Sequence, residues 1–275
     1  MERLKPSRRD FLVGLGRGFA GSLIFSLPML MTMEMWWLGF YADPLRLALF
    51  MTLLLPLLWR LSRYGGLRHT RSGWDDLADA LVAVAIAAIA SAVVLALFGV
   101  LDRGMSTHEV VGKLLLQTFC GSIGAMLAQN QFGEKDLRDE RREAEASYLD
   151  EMFLMVVGAL FLSLNMAPTE EIILIAYQMS VWQVIVLILL TLVLMHAFVY
   201  GLEFGGTERP RDGEGFWSVF ARFTVAGYAL VLLVSFYVLW TFGRLDSTGN
   251  LPTLGTTIVL GFPGALGAAV ARLML

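Results

Sequence analysis

The segment GSLIFSLPMLMTME, residues 21–34, recurs 137 residues later as GALFLSLNMAPTEE, residues 158–171. Seven of fourteen positions are identical: Gly21/Gly158, Leu23/Leu160, Ser26/Ser163, Leu27/Leu164, Met29/Met166, Thr32/Thr169 and Glu34/Glu171. Farther along, FCGSIGAMLA, residues 119–128, aligns with FPGALGAAVA, residues 262–271, at a spacing of 143 and with five identities in ten. Apolar stretches match one another cheaply through Leu and Ala. Here Ser, Thr, Glu and Gly match too, in the same order, which is the mark of an internal duplication.

With 57% hydrophobic and 16% charged residues and a mean hydropathy of +0.66, the chain lies far outside the composition of soluble domains. It reads as an integral membrane protein, with the lipid bilayer as its first partner. A net charge of −3 supplies no basic field for nucleic acid. The single cysteine, Cys120, allows no internal disulfide and reads as a small packing residue.

A membrane span needs roughly 20 apolar residues. Eight stretches qualify: residues 19–41, 44–61, 79–101, 109–128, 148–167 with an extension to 177, 181–204, 216–242 and 254–275. The expected fold is therefore all-α and polytopic. A basic N-terminal segment (1–18) precedes a four-helix repeat (19–130), a charged connector (131–147) and a second four-helix repeat (148–275). Four crossings per copy leave both copies facing the same way, so the repeats are expected to be parallel, about a pseudo-twofold axis along the membrane normal.

Basic residues set the orientation. Most of the 21 lysines and arginines lie at residues 3–17, 60–71, 135–142 and 209–222 and at Arg272, which a cytoplasmic N-terminus places inside. Arg46, Arg103, Lys113 and Arg244 fall on the outer side. Both termini are thus expected in the cytoplasm. SRRDFL, residues 7–12, has the shape of a twin-arginine export signal. The apolar run behind it is too long and contains Glu34, which favours a basic anchor for the first helix.

A carboxylate at membrane depth costs about 3 kcal/mol on insertion scales, so Glu34 needs a reason. Pro28 in the first copy, and Asn165 with Pro168 in the second, interrupt apolar helices at matching positions. Each interruption is followed by Thr and then acid, TME at residues 32–34 and TEE at residues 169–171, which reads as a helix restart. The first helix of each repeat is expected to be broken or kinked. Broken membrane helices free backbone groups and serve transporters as ion sites. Glu34, Glu171, Ser26, Ser163, Thr32, Thr169 and Asn165 form the candidate site, an oxygen-rich anionic set at the repeat interface suited to a small cation or to protons. If instead the two glutamates lie near the outer headgroups, they are inexpensive and Pro28 is a plain kink.

The pattern FxGxxGAxxA places Gly121 and Gly124, and again Gly264 and Gly267, where two backbones can approach closely, and the expected role is helix packing. No HExxH, GxSxG or phosphate-binding loop is present, no cofactor is implied, and the chain does not read as an enzyme. His196 is the one histidine well inside a span, so a bis-histidine haem lacks its partner. Met29, Met31, Met33 and Met35 alternate around the helix, which argues against a copper-binding methionine set and leaves the identity of any metal unknown.

At SLPMLMTMEMWWLGF, residues 26–40, the chain also resembles a family of bacterial integral membrane proteins of unknown function, over most of its length. The resemblance implies a bacterial inner-membrane setting and carries over no functional residues. Residues and pattern together lead to the expectation of a cation channel or a cation- or proton-coupled transporter with a paired-glutamate site. The alternative is a non-transporting assembly or sensory subunit whose polar groove binds a partner helix. A homodimer stays open, although the duplication already supplies the symmetry that a dimer of single repeats would need.

Overall fold

The computed structural model describes residues 8–65, 73–132, 147–200 and 216–272, and every regular element among them is a helix. In chain order these are α1 (Arg8–Leu30), α2 (Met33–Tyr41), α3 (Pro44–Gly65), α4 (Gly73–Leu97), α5 (Thr107–Phe132), α6 (Tyr148–Met166), α7 (Glu171–Gln178), α8 (Val181–Tyr200), α9 (Phe216–Val219), a π-helical segment (Phe220–Val225), α10 (Ala226–Thr241) and α11 (Asn250–Arg272). Eight stretches among the described residues are long and apolar enough to cross a membrane. The chain is a multi-pass, all-helical membrane protein. The expected connector at residues 131–147 and the loop holding His69 lie almost wholly outside the described residues.

The chain divides into two compact units, Met1–Asp139 and Glu140–Leu275. In the first unit α5 packs against α1, α2, α3 and α4. In the second unit α11 packs in the same way against α6, α7, α8 and α10. The last helix of each unit is therefore its core, and small residues let it be so. A Cβ added to Gly124 would stand 2.6 Å from the Gly21 carbonyl oxygen, so α1 and α5 touch backbone to backbone. Gly267 meets Gly158 in the same manner on α11 and α6. A second crossing joins the short helix to the core helix: Gly39 lies against Gly112 and Lys113 in the first unit, and Ala176 lies 3.8 Å from the Cβ position of Gly255 in the second. Phe50 of α3 stacks on Phe119 of α5 with ring centroids 3.6 Å apart.

The helices before each final loop end identically. Gly99 and Gly243 both take φ +69°, a left-handed position that suits glycine. The bonds Gly99 N to Ala96 O and Val100 N to Leu95 O, and Gly243 N to Trp240 O and Arg244 N to Leu239 O, complete the same C-terminal cap in each unit.

Two features differ from the sequence expectation. Helix α1 begins at Arg8, inside the segment expected to precede the membrane, and its apolar span runs Leu12–Leu30. Pro28 sits in the last turn of α1 and the chain opens after it, at residues 31–32. Pro28 has no N–H to donate to the Ile24 carbonyl and its ring crowds that carbonyl, and the helix ends two residues later.

Candidate functional site

In the first unit the chain breaks after Leu30, and each freed carbonyl finds a donor. Met31 N donates to Leu27 O, the Thr32 hydroxyl to Pro28 O, Thr32 N and Gln117 Nε2 to Met29 O, and Trp36 Nε1 to Leu30 O. The bond from Gln117, 3.0 Å long and buried, ties the break to the core helix α5. Thr32 caps α2 with extended backbone and without a side-chain capping bond, because its hydroxyl is turned back on Pro28. The break is thus a closed, neutral structure, as backbone in an apolar medium requires.

The second interruption, at residues 167–170, is built differently. Asn165 Nδ2 donates to Phe161 O at 2.7 Å, the Thr169 hydroxyl to Met166 O at 2.8 Å, and the Arg244 guanidinium to Pro168 O. Pro168 lies in the turn itself, unlike Pro28. A cation therefore covers the opened backbone of the second unit. Lys113 plays a related part in the first unit, pairing with Glu109 at 2.7 Å and reaching the Val100 carbonyl at 3.4 Å.

The glutamates stand outside these networks. Glu34 occupies the first turn of α2 and is half-buried, while Glu171 opens α7 and is exposed. Neither has a hydrogen-bond or ion-pair partner among the described residues. Each follows a complete apolar span of 19 residues, Leu12–Leu30 or Tyr148–Met166. Such a helix is about 28 Å long, close to the thickness of the hydrocarbon core. By length, then, both carboxylates come at the end of a crossing. Glu34 belongs to the first unit and Glu171 to the second.

Deeper in each unit lie polar groups of another kind. Ser22, Ser91, Ser163 and Ser235 are fully buried, and none of their hydroxyls has a hydrogen-bond partner. Gln117 Oε1 and Asn165 Oδ1 are likewise buried and unpaired. Three of these serines, Ser22, Ser163 and Ser235, sit at glycines of the core helices. Ser163 Oγ and Ser235 Oγ lie 2.8 and 3.4 Å from the Cβ position of Gly264, and Ser22 Oγ lies 2.6 Å from that of Gly121. Ser26, the sequence partner of Ser163, instead donates to the Ser22 carbonyl at 2.6 Å. The two units thus share the device while assigning it to serines one turn apart.

Ser91 and Ser235 escape the two sequence alignments, although a signal exists. They stand eight residues before Gly99 and Gly243, and at a spacing of 144 Phe98, Gly99, Leu101 and Asp102 match Phe242, Gly243, Leu245 and Asp246. The most buried carboxylates among the described residues are also new: Asp79, 1% exposed, and Asp76, 7%, in the first turns of α4. Among the described residues no three His, Cys, Asp or Glu side chains cluster as a metal site. Met29 and Met35 are buried while Met31 and Met33 are exposed, so the four methionines do not converge.

A family model described as "Putative integral membrane protein (DUF2391)" matches residues 14–275. No curated protein and no solved structure matches the chain.

Proposed function

The chain belongs to this family of integral membrane proteins, and we propose that it moves a small cation or protons across the bilayer and is not an enzyme. The observation that carries the reading is the set of unpaired hydroxyls at Ser22, Ser91, Ser163 and Ser235. A buried polar atom without a partner costs about 1–3 kcal/mol, and an alanine would pack against Gly121 or Gly264 without that cost. A passing guest that accepts or offers hydrogen bonds, whether hydrated cation, water or proton, repays it. The two units read as copies of one repeat, since element order, crossing glycines and helix caps recur.

In this reading Glu34 and Glu171 are the carboxylates at the mouth of each unit, drawing cations to the oxygen atoms of Ser26, Thr32, Ser163, Asn165 and Thr169. The setting is a bacterial inner membrane with both termini cytoplasmic, as the distribution of Lys and Arg supports. The test is flux in proteoliposomes for H⁺, Na⁺, K⁺ and divalent cations, comparing wild type with the double variant Glu34→Gln, Glu171→Gln. Flux that falls in a correctly folded double variant supports the reading. A folded wild type that passes none of these ions under any gradient overturns it, and the partner-helix subunit takes its place.

A further inference from the structure

A serine or threonine buried in a membrane helix has an easy partner in the carbonyl four residues back. Ser26, Ser122, Thr191 and Thr241 all take it, at 2.6 to 2.9 Å. Ser163 of α6 and Ser235 of α10 do not, although both are fully buried within the apolar spans Tyr148–Met166 and Phe220–Thr241. Their hydroxyls converge instead on one point of α11, lying 2.8 and 3.4 Å from the Cβ position of Gly264. They are not bonded to each other, and among the described residues neither has a partner. Two hydroxyls so placed can be bridged by a single oxygen atom, and glycine at 264 keeps a methyl group out from between them.

A third hydroxyl stands close by. Tyr228 is 6% exposed, its oxygen is unpaired, and that oxygen lies 3.9 Å from the Cβ position of Gly261, one turn away on α11. The first unit is built otherwise: the Cβ position of Gly121 has Ser22 Oγ at 2.6 Å and the Ala87 methyl at 3.0 Å, so a hydroxyl faces a methyl there. The convergent pair belongs to the second unit.

The chemistry of these groups selects the guest. A hydroxyl is neutral and both donates and accepts, and water answers it on both counts. About two to four polar partners suffice to hold a buried water. A hard metal ion stripped of its hydration shell needs about six or more oxygen ligands, and two serines with a tyrosine supply far fewer.

We propose that the second unit binds a water molecule between Ser163 and Ser235 at Gly264, and that this water passes protons and not metal ions. The second half rests on the transport reading above; the first half does not. A proton that joins the water oxygen leaves by another of its O–H bonds to a serine oxygen, whose own proton passes on. Each oxygen keeps its bonds, and no co-reactant is consumed.

The experiment uses the full chain in lipid nanodiscs, imaged finely enough to show ordered water, as wild type and as Ser163→Ala, Ser235→Ala. The same two proteins are assayed in proteoliposomes for H⁺, Na⁺ and K⁺ flux. Wild type is expected to show one oxygen within hydrogen-bond distance of both serines, lost in the variant. Protons should pass in preference to Na⁺ and K⁺, and proton flux should fall about tenfold in the variant, the scale of one lost hydrogen bond in the path. No density between the wild-type serines, or density with the coordination shell of a metal ion, overturns the water site. Water in place with Na⁺ or K⁺ carried as readily as protons, or with proton flux unchanged in the variant, overturns the proton assignment and leaves the transport reading standing. Water in place with no flux of any ion overturns the proton assignment together with the transport reading.

Discussion

Gly124→Ala tests the packing of the first unit most sharply. The added methyl carbon would stand 2.6 Å from the Gly21 carbonyl oxygen and would overlap Phe25 as well. Ordinary contact needs roughly 3.5 Å, so α1 and α5 must part by about 1 Å along a backbone contact that no rotamer change relieves. Overpacking costs about 1–3 kcal/mol, against a gain of about 1 kcal/mol from replacing a helical glycine with alanine. The net expectation is a loss of about 0–2 kcal/mol. Two controls set the scale. Gly16 has nothing within 4 Å of its Cβ position, so Gly16→Ala should stabilise, while Gly255, with ordinary contacts at 3.8 and 3.9 Å, should be close to neutral or better. Reversible unfolding in mixed micelles provides the ranking, with Gly124→Ala least stable and Gly16→Ala most. If Gly124→Ala is as stable as Gly16→Ala, α1 and α5 do not meet backbone to backbone.

Lys113→Met strands Glu109, whose partner it is at 2.7 Å, and should cost about 1.5–3 kcal/mol; the same unfolding assay should show part of this recovered in Glu109→Gln, Lys113→Met. Gly99→Ala and Gly243→Ala force a side chain to φ +69° and should each cost roughly 1–2 kcal/mol, similar in the two units and read as a lower midpoint of thermal unfolding.

The internal copy at residues 21–34 and 158–171 made the paired helix breaks legible, because a proline or an asparagine followed by Thr and Glu is a local signal. Their depth was not legible. Helix α1 starts at Arg8, within basic residues whose charge says which side of the membrane they favour and nothing of their backbone. The residues leave both depths open for the glutamates, while α1 puts a full apolar helix length, Leu12–Leu30, before Glu34.

The buried serines were hidden for another reason. Ser26 and Ser163 match in sequence, yet Ser26 bonds within its own helix and Ser163 turns to Gly264, a choice made by packing between helices. Asp79 reads as the polar start of a helix, and only the surrounding helices make it inaccessible.

If cations or protons pass as proposed, Ser91 and Ser235 serve the guest and not the packing. Ser91→Ala with Ser235→Ala, measured for stability in micelles and for cation flux in proteoliposomes, separates the two. The double variant should then be at least as stable as wild type, since two unpaired buried hydroxyls are gone, and should show reduced flux. A double variant that is less stable and conducts as wild type would make the serines structural and rule out a guest at them.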